Sequence, residues 1–247
     1  MAFADHFAPV AADYGRHRPG YPPGLFAFLA DTAPGTRRAW DCATGTGQAA
    51  RGLAEHFAEV RATDASAGQV EQAEGPTNVR YSVAPAEAGG LDDASADLVT
   101  VAQALHWFDL PAFYAEVRRV LRPGGLLAVW SYNLLEAGPA VDAVIERLYR
   151  DRLGPYWPTE RRHVENGYRD LPFPFRPVAA PAFAMTSEWT LAGLTGYLGT
   201  WSAVARCREA EGTDPVAEVE AALAAAWGPA DTARPVRWPL TLRVGRV

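Results

Sequence analysis

The chain has 247 residues, of which 49% are apolar and 21% charged, and its formal net charge is −6. This length suits one α/β domain with an added part, and the composition predicts a packed core. The acidic balance argues against nucleic acid as a partner. No apolar run approaches the roughly 20 residues that span a bilayer, and the start lacks a signal segment. We therefore expect a cytoplasmic protein without a membrane partner.

Several kinds of chemistry are excluded by residue usage. Cys42 and Cys207 are the only cysteines, too few for a disulfide framework or a thiolate metal site. The five histidines lack the spacing of a metal site, so we expect no metal. All 23 basic side chains are arginine, so a lysine Schiff base and a P-loop are both excluded.

The first half of the chain alternates between strand and helix patterns. An amphipathic helix and a proline-rich link over residues 1–24 precede a helix over 25–30. Predicted strands cover residues 38–42, 60–63, 79–83, 96–102 and 126–130, and predicted helices cover 48–57, 66–73 and 111–121. This alternation indicates a doubly wound, mostly parallel sheet with helices on both faces.

The alternation ends after residue 135. We predict a helix over 141–153, a packed aromatic lid over 154–181, a strand over 181–190, helices over 191–208 and 215–227, and a last strand over 235–247. The predicted fold is thus α/β and Rossmann-like, with seven strands and a helical cap inserted after the fifth. Its predicted parts are an N-terminal helical lid segment (1–36), a cofactor-binding core (37–135), a cap for the substrate (136–210), and a helix and strand that complete the sheet (211–247).

A glycine turn between the first strand and its helix predicts a nucleoside site. Gly45 and Gly47 bring bare backbone close to a ligand, and Asp64 ends the next strand, where a carboxylate accepts ribose hydroxyls. The turn also fits a dinucleotide pattern, which is weak evidence alone. Asp41, just before the turn, repels a diphosphate but pairs with an ammonium group, as in S-adenosylmethionine.

Two later segments place polar and aromatic groups at the same edge of the sheet. Residues 84–87 (Ala-Pro-Ala-Glu) follow the third strand, where a short polar loop meets an adenine edge. Residues 103–108 (Gln-Ala-Leu-His-Trp-Phe) follow the fourth strand, where open α/β folds place their sites.

The chain resembles class I S-adenosylmethionine-dependent methyltransferases of the small-molecule branch that includes trans-aconitate methyltransferase-like proteins. The matching segments are residues 41–47, 63–64, 86–87, 97–99, 103–107 and 121–125 (Leu-Arg-Pro-Gly-Gly), with further matches at 14–22 and 200–202. They span nearly the whole chain. One departure is Ala43, which stands where the family usually has the first glycine of its turn. This alanine introduces no backbone strain if its φ angle is negative.

The resemblance implies roles for individual residues. The implied cofactor-binding residues are Tyr14, Arg18, Asp41, Ala43, Gly45, Gly47, Asp64, Ala65, Ala86, Glu87, Gln103 and His106. His106 is also the candidate catalytic residue, as a base or as a group that orients the substrate. Trp107, Trp201 and Arg206 are the candidate substrate-binding residues.

The methyl acceptor is left open between two kinds of small molecule. The resemblance implies an organic acid, which arginine grips bidentately; the candidate clamps are Arg147, Arg152, Arg161, Arg162 and Arg206. The aromatic residues of the cap equally permit an aromatic natural product. We expect an oxygen nucleophile, either a carboxylate or a hydroxyl. The alternatives are a nicotinamide-dependent oxidoreductase and a non-catalytic cofactor-binding relative.

Overall fold

The computed structural model describes residues 19–247, so Tyr14 and Arg18 lie outside the described residues. These residues form nine α-helices and eight strands. The helices are α1 (Pro23–Thr32), α2 (Gln48–Ala54), α3 (Ala67–Glu71), α4 (Leu110–Val120), α5 (Pro139–Arg147), α6 (Arg161–Glu165), α7 (Leu191–Gly199), α8 (Ser202–Glu211) and α9 (Pro215–Trp227). The strands are β1 (Arg38–Cys42), β2 (Glu59–Asp64), β3 (Val79–Val83), β4 (Ala96–Ala102), β5 (Leu121–Tyr132), β6 (Arg176–Val178), β7 (Ala184–Trp189) and β8 (Arg234–Arg246).

The strands form one sheet in the order β3-β2-β1-β4-β5-β8-β6, with β7 also paired to β8. Neighbours from β3 to β5 run parallel, and β6, β7 and β5 pair with β8 in antiparallel fashion. The mostly parallel sheet is therefore as predicted. The strand order reverses beside β1, and ligands of such sheets bind at the carboxyl ends of the strands at that point.

Continuous apolar runs explain why the central strands are parallel and covered on both faces. Six of the seven residues of β4 are buried, and Trp40 on β1 and Trp130 on β5 are fully buried. Strands buried on both faces read as unbroken apolar sequence, without the alternation typical of a half-exposed sheet.

The sheet has eight strands, one more than predicted. The additional strand, β6, has three residues and includes Pro177, so its sequence carries no usable alternation. It lies inside the segment predicted as a lid over 154–181, which also contains α6. The helix predicted over 141–153 ends as an α-helix at Arg147 and continues through a wider turn, Leu148–Arg152. β5 begins at Leu121, five residues earlier than predicted.

The helices α5, α7, α8 and α9 pack with β7 and β8 around an aromatic cluster. Its buried rings are those of Tyr132, Tyr149, Tyr197, Trp201, Trp227 and Trp238. The proposed division of the chain into four parts stays a prediction. Among residues 19–247, no helix combines the length and the apolar character needed to span a membrane.

Helix α1 meets α2 at a glycine. A Cβ atom added at Gly52 would lie 2.1 Å from the ring of Phe26, which is itself 3% exposed. The ring therefore occupies the space that any larger residue at position 52 would need.

A buried carboxylate joins the amino ends of three central strands. Asp97, at the start of β4, accepts the backbone N–H groups of Arg37 (2.9 Å) and Arg38 (3.0 Å) through Oδ2. Its Oδ1 pairs with Nη1 of Arg122 at 3.0 Å. Because Asp97 is only 1% exposed, its carboxylate depends on these three donors for its hydrogen bonds.

We expect Asp97→Asn to lower the free energy of unfolding by about 2–4 kcal/mol, because an amide turns one donor toward the existing donors and leaves Arg122 unpaired. Urea denaturation at pH 7 measures this change. The control is Asp92→Asn at an exposed neighbour, expected within about 0.5 kcal/mol of the parent protein. Equal effects of the two substitutions would contradict the role assigned to Asp97.

Candidate cofactor and acceptor site

The turn after β1 has three residues with positive φ angles: Ala43 (55°), Gly45 (57°) and Gly47 (88°). A Cβ atom added at Gly47 would lie 2.2 Å from the hydroxyl oxygen of Tyr81 on β3. Position 47 therefore accepts only glycine, both for its backbone conformation and for its contact. The φ angle of Ala43 is positive, in the left-handed region, so this alanine does introduce backbone strain.

Asp64 holds this turn against the end of β2. Its Oδ2 accepts the backbone N–H of Gly45 at 2.8 Å, and its Oδ1 accepts that of Ser66 at 2.9 Å. Each carboxylate oxygen retains acceptor capacity beyond these bonds. The carboxylate is thus fixed at the end of β2 beside the turn, and its contact with a ribose stays a prediction.

Asp41 is a buried carboxylate without a cation among the described ion pairs. It is 1% exposed and accepts the hydroxyls of Thr44 (2.6 Å) and Thr100 (2.7 Å). Register explains the second contact, because Asp41 on β1 lies opposite Thr100 on β4. Burial raises the pKa of Asp41 to about 6, against the opposing effect of the two hydroxyls. A positive group bound nearby would stabilise the charged form.

The candidate adenine residues lie on the β3 side of the turn. Ala86 is buried, and Glu87 and Ala65 are half-buried. Glu87 accepts the backbone N–H of Asp109 at 2.9 Å through Oε1, and Asp109 is the N-cap of α4. Glu87 thus connects the loop after β3 to α4, and its contact with an adenine stays a prediction.

Gln103 follows β4 with a φ angle of 60°. Its backbone N–H donates to Trp130 (2.9 Å), and its Nε2 donates to the carbonyl of Tyr132 (2.8 Å). Its Oε1 atom is buried and accepts no hydrogen bond from residues 19–247. A buried acceptor without a donor costs about 1–3 kcal/mol, so a bound ligand that supplies one gains that amount.

His106 lies in the turn after β4, with Nδ1 2.9 Å from the hydroxyl of Tyr168 and its ring 4.7 Å from that of Trp107. Burial lowers its pKa to about 3, and the positive charge of Arg161 acts in the same direction. The imidazole is therefore neutral at physiological pH and is a weak base. The sequence did not predict the contact between His106 and Tyr168, because 62 residues separate the two and no motif links them.

The cap places one arginine beside His106. Arg161, on α6, donates from Nη2 to Asn133 (2.8 Å), the residue after β5, and from Nε to the hydroxyl of Tyr149 (2.9 Å). Its guanidinium carbon lies 5.1 Å from the ring centre of Trp157. It is half-buried, and none of the ion pairs within residues 19–247 includes it.

The other four arginines predicted to bind a substrate carboxylate make contacts within the protein or are exposed. Arg152 pairs with Glu211 and Glu218, while Arg147 and Arg162 are exposed. Arg206 donates to the backbone carbonyl of Tyr156 at 3.1 Å.

The two candidate aromatic contacts lie in different parts of the site. Trp201 is buried and packs against Tyr149, with ring centres 5.8 Å apart, so it lies behind the residues that surround Arg161. Trp107 is half-buried beside His106. Their contact with a substrate stays a prediction.

Comparison with known proteins agrees with this geometry. Residues 40–129 match the family model described as a methyltransferase domain. A Dictyostelium discoideum protein named as a methyltransferase is 34% identical over 233 residues, which cover 93% of this chain and 89% of that protein. A Saccharomyces cerevisiae protein named as an S-adenosylmethionine-dependent methyltransferase is 33% identical over 131 residues, 49% of this chain and 45% of that one.

A solved structure with a related sequence has the same fold. It is titled as a type II methyltransferase from Anaeromyxobacter dehalogenans, with 49% identity and a TM-score of 0.88. The match covers 93% of this chain and 97% of that one.

Glycine at position 43 should relieve backbone strain. We expect Ala43→Gly to raise the free energy of unfolding by about 0.5–1 kcal/mol. The left-handed conformation costs alanine about 1–2 kcal/mol, and the larger conformational entropy that glycine loses on folding offsets part of the gain from removing this strain. Gly45→Ala, in the same turn, should lower it by a similar amount. Urea denaturation of both variants measures the changes, and a loss of stability in Ala43→Gly would contradict the strain.

The raised pKa of Asp41 predicts a pH-dependent stability. Between the unfolded value of 3.8 and about 6, the folded protein holds a proton that the unfolded chain has lost. This group's contribution to stability is therefore complete below pH 4 and is lost as the pH rises through 6, by on the order of 3 kcal/mol.

Asp41→Asn removes this titration. Its stability relative to the parent protein should therefore increase between pH 4 and 7, as measured by urea denaturation at several pH values. Asp31→Asn, at an exposed position, serves as the control and should follow the parent curve. A constant difference between Asp41→Asn and the parent would show that Asp41 does not titrate in this window.

Proposed function

The chain belongs to the class I S-adenosylmethionine-dependent methyltransferases, and we propose that it methylates a carboxylate oxygen of a small organic acid. The family membership supplies the cofactor and the reaction type, so a nicotinamide-dependent oxidoreductase is no longer an alternative. The acceptor is argued below from residues of this chain.

The residues at the carboxyl edge of the sheet fit the cofactor. Asp41 is a buried anion without a paired cation among residues 19–247, which suits an ammonium group, and Asp64 is a fixed acceptor that suits a ribose. The turn through Gly45 and Gly47 leaves bare backbone beside them. Gln103 adds a buried acceptor that receives no hydrogen bond from the described residues. When bound, S-adenosylmethionine supplies a methyl group on a sulfonium, which leaves as a neutral thioether when a nucleophile attacks the methyl carbon.

Arg161 is the observation that carries the choice of acceptor. A half-buried guanidinium that pairs directly with no carboxylate among the described residues is costly. Asn133 and Tyr149 orient it through neutral atoms, and Glu165 lies one hydroxyl away, as the acceptor of Tyr149 at 2.7 Å, so the guanidinium can still pair directly with a ligand. A substrate carboxylate would complete this site with a charge-assisted pair.

The weak basicity of His106 supports the same choice. A hydroxyl acceptor needs a base near neutral pH, and an imidazole with a pKa of about 3 removes its proton poorly. A carboxylate is already ionised and needs none. His106 and Tyr168 then orient and enclose the substrate, and alignment of the reactants supplies the main rate gain, roughly 7–11 kcal/mol.

Turnover on a substrate panel tests this function. Mono-, di- and tricarboxylic acids and phenols of matched size are incubated with S-adenosylmethionine, and S-adenosylhomocysteine and the methylated products are measured by mass spectrometry. We expect methyl esters, which mild alkali hydrolyses. Products methylated only on phenols or amines would refute the carboxylate acceptor. Cofactor binding without turnover of any compound would support the non-catalytic alternative.

Removal of the Arg161 charge should separate acceptor binding from cofactor binding. We expect Arg161→Gln to raise the KM for the acid about 10–100-fold, with the loss of one charged hydrogen-bonding group, and to leave the Kd for S-adenosylhomocysteine within twofold. Steady-state kinetics and calorimetry measure the two effects. Arg162→Gln, at the exposed neighbour, is the matched control, and Arg161→Lys should restore part of the affinity. Equal KM values in Arg161→Gln and Arg162→Gln would exclude the proposed contact.

A further inference from the structure

A second cavity lies at the opposite edge of the sheet from the cofactor site. Its volume is about 530 Å³, and it lies where β4 and β5 begin, where α4 and β8 end, and beside β6. Its walls include Leu121, Pro123, Pro174 and Phe175. The segment Leu121–Gly125, one of the family-like motifs, thus borders this cavity, and the cofactor site leaves it without a role.

Five arginines line this cavity: Arg118, Arg119, Arg122, Arg176 and Arg246. Three side-chain carboxylates pair with two of them. Arg119 pairs with Asp93 and Glu116, and Arg122 pairs with Asp97. The remaining three arginines have no carboxylate partner within residues 19–247. The cavity therefore concentrates positive charge in a chain whose formal net charge is −6.

Neutral groups hold two of these three arginines in place. Arg246 donates from Nη1 to the carbonyl of Gly124 (2.6 Å) and from Nη2 to that of Thr32 (2.9 Å). The φ angle of Gly124 is 78°, a turn conformation that favours glycine. Arg118 donates to the carbonyl of Pro174 (2.9 Å), and its guanidinium carbon lies 4.8 Å from the ring centre of Phe175. Carbonyls orient a guanidinium without neutralising its charge, and each guanidinium has five N–H donors.

We propose that this cavity, which we call the arginine cleft, binds the phosphate group of a small molecule. The five guanidiniums outnumber the three side-chain carboxylates that pair with them, so the excess positive charge of the arginine cleft attracts a phosphate. Guanidiniums bind phosphate oxygens through paired hydrogen bonds. The apolar walls formed by Leu121, Pro123 and Phe175 suit the remainder of an organic phosphate.

The shape and charge favour a small ligand over nucleic acid. The arginines surround one concave space, whereas a nucleic-acid surface presents a basic stripe along many phosphates. The acidic net charge of the chain also repels a long polyanion. Duplex DNA is therefore included in the test as a ligand that should not bind.

Calorimetry with pyrophosphate at low ionic strength tests the arginine cleft. We expect one site per chain, with affinity about tenfold weaker in Arg176→Gln. Arg176 is exposed, and its side chain makes no described hydrogen bond, while its backbone pairs with β8, so replacement of the side chain should leave the fold intact. Arg147→Gln, at an exposed arginine of α5, is the matched control and should bind as the parent does. Arg176→Lys should retain part of the affinity, and the melting temperatures of all three variants should agree.

Further titrations, with S-adenosylhomocysteine present, with citrate and with duplex DNA, identify the ligand and its location. The titration is repeated with saturating S-adenosylhomocysteine, and unchanged pyrophosphate binding shows that the site is separate from the cofactor site. Citrate at the same ionic strength should bind more weakly than pyrophosphate. Absence of binding, equal binding to Arg176→Gln and Arg147→Gln, tighter binding of citrate, or binding of duplex DNA alone would each overturn the proposal. None of these results depends on methyl transfer, so the acceptor proposal fails or stands independently.

Discussion

A carboxylate that is buried without a paired cation among residues 19–247 dominates the charge at the carboxyl edge of the sheet. Asp41 accepts two threonine hydroxyls, and burial raises its pKa to about 6. Such a group is unfavourable in the isolated protein and becomes favourable once a positive ligand is bound. A loss of stability of this kind is a common feature of functional sites, as expected if Asp41 binds the ammonium group of the cofactor.

The proposed acceptor side has a charge of the opposite sign. Arg161 is oriented by an amide oxygen and a phenol oxygen, and no carboxylate in the described part of the chain pairs with it directly, although Glu165 accepts the same phenol hydroxyl at 2.7 Å. The two ends of the proposed site therefore have opposite charges, an anion on β1 and a cation on α6. With the proposed acid as acceptor, this polarity would distinguish the positive cofactor from the negative acceptor, since each ligand would be repelled at the other's position.

Much of the sheet and of the cofactor edge was predictable from sequence, because unbroken apolar runs and the glycine turn are local signals. The strands from β1 to β4 and the helix Pro215–Trp227 follow such signals closely. The short β6 was missed because a three-residue strand with a central proline has no periodicity. The contacts of His106 with Tyr168 and of Arg161 with Asn133 join residues far apart in sequence, and only the folded chain brings them together.

The close contact between Gly52 and Phe26 has a consequence for sequence change in this protein. The two positions form one steric unit, in which a gain in volume at 52 requires a loss at 26. Phe26 belongs to α1, the helix through which the chain enters the sheet, and Gly52 belongs to the helix that follows the glycine turn. Paired exchanges at these sites would therefore be tolerated where single ones are not, and covariation between them would report how closely α1 packs on α2.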